Sequence, residues 1–365
     1  MVCKLISRPW LGVVDLHDKS LIALFECLAG AKNRDFPSAY STPRPSIKAS
    51  LCKAAMSISF VRIFANALIR RPLERFTNSF DYWRHKAIWQ SILPAEWAND
   101  KITNLIHSEQ PALVSRIGHT EGRIVGEYLF SKARYGRLSR KEAHQFSGIF
   151  PVKKTMLTRF AEIYSTALSE VDLLGFWQTA YQARWLNTLS RQPLLVHLES
   201  LEPYFYPKPW TASLAGLRVL VVHPFAESIA SQYRLNRHAL FPNSQILPEF
   251  DLEVLAPPQT LAPSTAGYSD WEDAFNSLVA KVLERRFDVA LLGCGAYGLP
   301  LGAAIKRNGR KAIHLGGSLQ ILFGIRGRRW DALPLFQPLW NDAWVRPSAL
   351  ETPQSAKSVD SGCYW

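Results

Sequence analysis

The stretch FDVALLGCGAYGLPLGAAIKRNGRKAIHLGG, residues 287–317, decides how the fold is read. It opens on an apolar run and breaks at Gly293-Cys294-Gly295-Ala296-Tyr297-Gly298. It continues with helical spacing through LPLGAAIKRNG and closes on a second apolar run, KAIHLGG. Strand, glycine turn, helix and strand make one β-α-β unit. The glycines are spaced G-x-G-x-x-G, which lets a backbone wrap a pyrophosphate at a helix N-terminus. A nicotinamide dehydrogenase makes two further demands: the motif belongs to the first such unit, and an acid follows about 20 residues later for the ribose. Both fail. At least two strands precede the motif, and the next strand ends in His314, Leu315 and Gly316 with no acid. Two readings remain open, a phosphate cradle for another nucleotide and a tight turn with close helix–strand packing.

Working outward, LRVLVVHPF (217–225) is a buried strand and turn, after which SIASQY begins a helix with Glu227 and Ser228 in its first turn. ILPEFDLEVLAP (246–257) is another strand. Ser269-Asp270-Trp271-Glu272 forms a capping box for the helix WEDAFNSLVAKVLERR. Nearer the N-terminus, PALVSRIG (111–118) reads as a strand and HTEGRIVGEYLF (119–130) as a helix. Residues 140–200 read as a helical middle whose Phe160, Ile163, Tyr164, Leu168, Leu173, Phe176 and Trp177 belong to the core. Strands alternating with helices imply a parallel sheet with right-handed crossovers. The expected architecture is α/β, a Rossmann-like, mostly parallel sheet over 106–345. A basic, mixed and helical N-terminal extension occupies 1–105, and 346–365 form a C-terminal tail.

Hydrophobic residues make up 47% of the chain and charged residues 20%, as in a soluble globular protein. The net charge of +13 points to anionic partners, with nucleic acid, nucleotide-sugar phosphates and an acidic membrane face all compatible, or else to a basic surface without a specific partner. Residues 32–86 carry eleven Lys or Arg against three acids, so much of the excess lies outside the α/β region. No secretory leader is expected, and no run reaches the roughly 18 apolar residues that span a bilayer. The nearest, 54–69, is broken by Arg62 and reads as an amphipathic helix, packed on a core in preference to a membrane surface. Five scattered cysteines without C-x-x-C spacing argue against a disulfide framework or zinc site and for a reducing compartment.

In such sheets ligands gather beyond the carboxyl ends of the strands. Arg116, Gly118, His119 and Glu121 follow the earliest strand. Glu121 there either helps to hold a divalent cation against a diphosphate or complements the helix dipole. His223 and Glu227 follow a middle strand and could exchange protons, although a strand-end His is often simply hydrogen-bonded. His314 carries the same two readings. Cys294 is a nucleophile or a packed thiol. The basic run Lys306, Arg307, Arg310, Lys311, Arg326, Arg328 and Arg329 either favours phosphates beside the glycines or is a solvated face. G-x-S-x-G, P-loop and H-E-x-x-H motifs are absent, and no nucleic-acid recognition pattern is present.

Three of these segments together resemble a known family. DVALLGCGAYGLPLGAAIKRNGRKAIHLGGSLQILFG (288–324) is similar to the C-terminal signature of the GT-D-type glycosyltransferases. VSRIGHTEGRIV (114–125) resembles that family's acidic Asp-x-Glu segment, and RVLVVHPFAESIASQY (218–233) stands in the place of its middle strand and loop. The closing residues 340–365 look like the tail of a divergent bacterial branch associated with surface polysaccharides. The resemblance spans about 110–365. It implies transfer of a sugar from a nucleotide-diphosphate donor to a saccharide or lipid-linked acceptor, in the cytoplasm or on the inner face of the membrane. It also implies a divalent cation, Mn²⁺ or Mg²⁺. Carried over, Glu121 matches the family's Glu, while His119 stands where its Asp would be. An imidazole can ligate Mn²⁺ but weakens a Mg²⁺ site, so a clamp using Arg116 without metal is an open variant. The resemblance further implies that Gly293, Gly295, Tyr297 and Gly298, with Arg116, Gly118, His314 and Gly316, approach the nucleotide. Glu121, His119, His223 and Glu227 then surround the chemistry. A non-catalytic nucleotide-binding protein of polysaccharide assembly is the alternative.

Overall fold

The computed structural model describes residues 85–365 apart from 178, 180, 262, 332, 354–355 and 357–361. The chain divides into two units, 1–72 and 73–365, and every described residue belongs to the second. The basic segment, the amphipathic 54–69 stretch, Cys3, Cys27 and Cys52 therefore lie outside the described residues, apart from His85 and Lys86 at the segment's end.

Seven strands form one sheet: β1 Ala112–Arg116, β2 Leu173–Phe176, β3 Leu194–His197, β4 Arg218–Val222, β5 Asp251–Leu255, β6 Val289–Leu292 and β7 Lys311–His314. Their order is β3-β2-β1-β7-β6-β4-β5 and every pairing is parallel. The central runs VALL and RVLVV are apolar at successive positions because both faces of a parallel sheet are covered. β2 and β3 lie inside the stretch expected to be helical. They are four residues each, too short for their apolar residues to separate strand from helix by period.

The α-helices among the described residues are α1 Lys86–Gln90, α2 Ala95–His107, α3 His119–Phe130, α4 Arg137–Ser147, α5 Lys154–Leu168, α6 Gln182–Leu186, α7 Ala226–Leu240, α8 Trp271–Leu283, α9 Gly298–Arg307, α10 Leu319–Leu322 and α11 Arg328–Asp331. Those following β1, β2, β5 and β6 bury their apolar stripes in one core, on one face of the sheet. The segments following β3, β4 and β7 pack into a second core on the other face, joined by α2. Moves towards β3 use the first face and moves towards β5 the second, so every crossover keeps one hand. The expected domain boundary at 105/106 falls inside α2, whose Ala98, Ile102 and Ile106 are buried in the second core. The capping box also shifts by one residue. Asp270 caps α8 by accepting from Asp273 N at 2.9 Å, while Asp273 reaches back to Ser269 N at 3.1 Å.

Chain faces alternate where β7 meets β1 and β6, and again where β6 meets β4. Connections leave such neighbours in opposite directions and open a crevice at the carboxyl edge. Register sets what lines it: Val222, Leu292 and His314 share one row, with Ser115 beside His314. Gly293, His223, Leu315 and Arg116 follow directly. Among the described residues no helix is long and apolar enough to cross a membrane.

Candidate functional site

Each glycine of the 293–298 turn answers a separate steric demand. A Cβ on Gly293 would strike the His223 ring and lie 2.9 Å from the Gly316 carbonyl oxygen. Gly295 has φ +56° and open space around it, so only its backbone conformation requires glycine. A Cβ on Gly298, at the start of α9, would overlap the His314 ring. Tyr297 does not face the crevice as expected. Its hydroxyl bonds Thr260 Oγ1 at 2.8 Å and its ring stacks on Trp271 at 5.3 Å, deep in the first core. An aromatic with apolar neighbours gains more from burial than from the exposed edge. Cys294 is buried too, and burial pushes its thiol up to about 12, which leaves no thiolate nucleophile.

The two strand-end histidines are neutral. Burial, with the Arg116 charge second, pulls His314 down to about 3. Ser115 Oγ donates to the Arg116 carbonyl at 3.2 Å and so accepts from His314 Nδ1–H, also at 3.2 Å. His314 Nε2 is then a lone pair with no hydrogen bond, set under the first residue of α9, where the positive end of the helix favours it. His223 is likewise pulled down to about 3 by burial, and its Nδ1 accepts from Phe225 N at 3.0 Å. Neither imidazole exchanges a proton near neutral pH. His223, expected as an acid/base group, is here a buried ring that packs against the glycine turn.

Arg116 crosses the crevice. Its Cδ and Nη1 lie 3.0 and 3.1 Å from where a Cβ on Gly316 would sit, and Gly316 itself has φ +65°. Its guanidinium stands 5.2 Å from the Trp177 ring centroid. Gly118 is needed because the Glu121 carboxylate folds back over it. Glu121 is 7% exposed, with its carboxylate lying over Gly118 at the start of α3. Arg116 and Glu121 therefore both stand where the chain leaves β1 for α3, at the carboxyl edge where ligands of such sheets gather.

His119 does not join them. It is exposed, two positions away on the helix, and its Nε2 lies 2.6 Å from Arg123 Nη2. Arg123 is in turn bonded to Glu142 at 2.8 Å. Residues two apart on a helix do not face one another. Among the described residues no group of three or more His, Cys, Asp or Glu is placed to hold a metal. One carboxylate and an imidazole committed to a guanidinium do not fit the expected Mn²⁺ or Mg²⁺ site.

A group the sequence reading missed lies nearby. Glu202 sits between two short 3₁₀ turns after β3. Burial pushes its carboxyl up to about 8, with Tyr204, Glu199 and Arg116 as its neighbours. The residue as a whole is half-buried. The only signal in sequence is a single acid inside the apolar stretch SLEPYF.

The other expected elements lie elsewhere. Glu227 is exposed, and the N-terminus of α7 is already filled: the Glu351 carboxylate accepts from Glu227 N at 2.7 Å, Ser228 N at 3.3 Å and the Ser228 hydroxyl. Glu351 thus ties its part of the tail to α7, and Trp365 Nε1 donates to Glu351 O at 3.1 Å. Replacing Glu351 with Ala should lower stability by about 1–2 kcal/mol through loss of this cap, read from the urea midpoint. An unchanged midpoint would refute the capping role. Lys306, Arg307 and Arg310 sit at the opposite, amino edge of the sheet. Lys306 binds Asp172 at 2.8 Å and Arg307 approaches Glu170 at 3.8 Å. Arg310 stacks over Phe287, so none of the three faces the glycine turn. Comparison with family models, with curated proteins and with solved structures finds no match.

Proposed function

We propose that the chain is a glycosyltransferase taking its sugar from a nucleoside-diphosphate donor and passing it to a saccharide or lipid-linked acceptor at the cytoplasmic face of a membrane. The observation that carries this reading is that Arg116 and the largely buried Glu121 both follow β1 at the carboxyl edge, where the chain faces alternate. Arg116 receives the diphosphate charge, helped by the exposed backbone at Gly295. The acceptor hydroxyl oxygen bonds to the anomeric carbon as its proton passes to Glu121. The bond from that carbon to the phosphate oxygen breaks, and its electron pair leaves on the diphosphate. Glu202, protonated up to about pH 8, donates a hydrogen bond to that leaving oxygen. Glu121 takes the base role and Glu202 the acid role. No step is routed through a metal.

One observation favours a second reading, a nucleotide-binding assembly protein without turnover: the position of the family's Asp is filled by His119, and that imidazole is committed to Arg123. A panel of UDP-, GDP- and ADP-sugars separates the two. Both readings expect a rise in melting temperature with the right nucleotide. Catalysis expects donor turnover that falls by about 100-fold or more in Glu121→Ala while the thermal shift persists. No shift with any nucleotide, together with salt-sensitive DNA binding, would sink both.

A further inference from the structure

Trp177 follows β2 directly and reads in sequence as a core residue, yet it is only half-buried, at the carboxyl edge. Its orientation is fixed: the indole N–H donates to the Ile117 carbonyl at 2.8 Å, tying the ring to the loop after β1. Arg116 lies 5.2 Å from its centroid. The His119 ring stands 6.4 Å away at 54°, held by Arg123, which Glu142 holds in turn. A large aromatic ring left partly in water at a strand end forgoes burial that the neighbouring Phe176, 2% exposed, obtains. What it gains is a rigid π-surface at low entropic cost.

We infer that Trp177, flanked by His119, is the platform on which the planar base of the donor nucleotide stacks, with Arg116 holding the attached diphosphate. The inference rests on the nucleotide-sugar reading and deepens it. Arg116 is shared between the two halves: its Cδ and Nη1 lie against the Gly316 turn, and its guanidinium carbon stands 5.2 Å from the indole centroid. A diphosphate on that guanidinium therefore brings its nucleoside to the Trp177 ring. Stacking tolerates any base, because every base has a π-face. The site then discriminates nucleoside diphosphates from bare pyrophosphate more strongly than one base from another.

The test uses the full chain and calorimetric titration with UDP, GDP, ADP and inorganic pyrophosphate. Trp177→Ala should weaken binding of the tightest nucleoside diphosphate by about tenfold or more, as expected for one lost base stack. Pyrophosphate affinity should stay within about twofold, which also reports that the variant is folded. Trp177→Phe should retain most of the affinity, and Arg116→Ala should weaken both ligands. If Trp177→Ala leaves nucleoside-diphosphate binding unchanged, the platform is refuted. It is equally refuted if pyrophosphate weakens in parallel, for then the indole only positions Arg116. If the unaltered protein binds pyrophosphate and no nucleotide, or neither, the donor reading itself fails and the platform with it.

Discussion

Acidification from pH 7 to pH 4 is expected to unfold the α/β unit, and His223 and His314 are the main reason. Burial holds both rings at about 3 against 6.5 for an ordinary histidine. A depressed folded value means that protons bind the unfolded chain first. The stabilisation is complete above pH 6.5 and drains away as pH falls towards 3. At about 1.4 kcal/mol per unit, each ring could account for several kcal/mol, against a typical total of about 5–15 kcal/mol. Asp172 acts in the same direction at lower pH. Burial raises its carboxyl, but bonds from Lys306 and Arg191 win and hold it below the usual value. Glu202 works the other way. Its raised carboxyl contributes stability that is complete below about 4.5 and is lost as pH climbs to about 8. The net result is a stability maximum near neutrality with a steep acid limb. Urea midpoints measured at half-unit intervals should show that limb in the unaltered chain. The double variant His223→Asn, His314→Asn should start lower and lose the acid limb, its midpoint rising from pH 6.5 to 4.5 because Glu202 alone then acts in that window. An equally steep limb in the variant would assign the acid lability elsewhere.

The parallel sheet was legible because runs such as VALL in β6 and VLVV in β4 are apolar at successive positions, a pattern that burial on both faces demands. β2 and β3 were not, since LLGF and LLVH are short and set among residues that a helix would also accept. At the site, the spacing of Gly293, Gly295 and Gly298 was visible in sequence, but its cause was not. Two of the three glycines make room for imidazoles from other strands, and nothing local to 293–298 encodes those contacts. Tyr297 and Trp177 exchanged roles for the same reason. Which aromatic is buried depends on the partner core, Thr260 and Trp271 for one and a bare strand end for the other. Glu202 and the Glu351 cap depend on enclosure and on a contact across 124 residues, both of which arise only once the chain has folded.

Gly298→Ala is expected to be among the most damaging single-methyl additions in the unit, although helix propensity alone predicts a gain. Gly298 has φ −60° and ψ −53°, so alanine fits the backbone and would ordinarily favour the helix by about 1 kcal/mol. The new Cβ, however, would stand inside the His314 ring. That ring is 2% exposed and bonded through Nδ1 to Ser115 on the adjoining strand. Neither the sheet nor the imidazole can yield, so the start of α9 must move, at a cost of about 3 kcal/mol or more. Gly295→Ala supplies the contrast. No atom lies within 4 Å of its Cβ, and only the φ of +56° opposes the change, worth about 1–2 kcal/mol. If the glycines served mainly to admit a phosphate, the ranking would invert: Gly295→Ala would impair nucleotide binding most, and Gly298→Ala would be nearly silent in stability. The decisive measurement is the double variant Gly298→Ala, His314→Ala. Removing the ring frees the space for the new methyl, so the pair should be more stable than the sum of the two single losses by about 1 kcal/mol or more. Strict additivity would mean that the imidazole does not set the residue at 298.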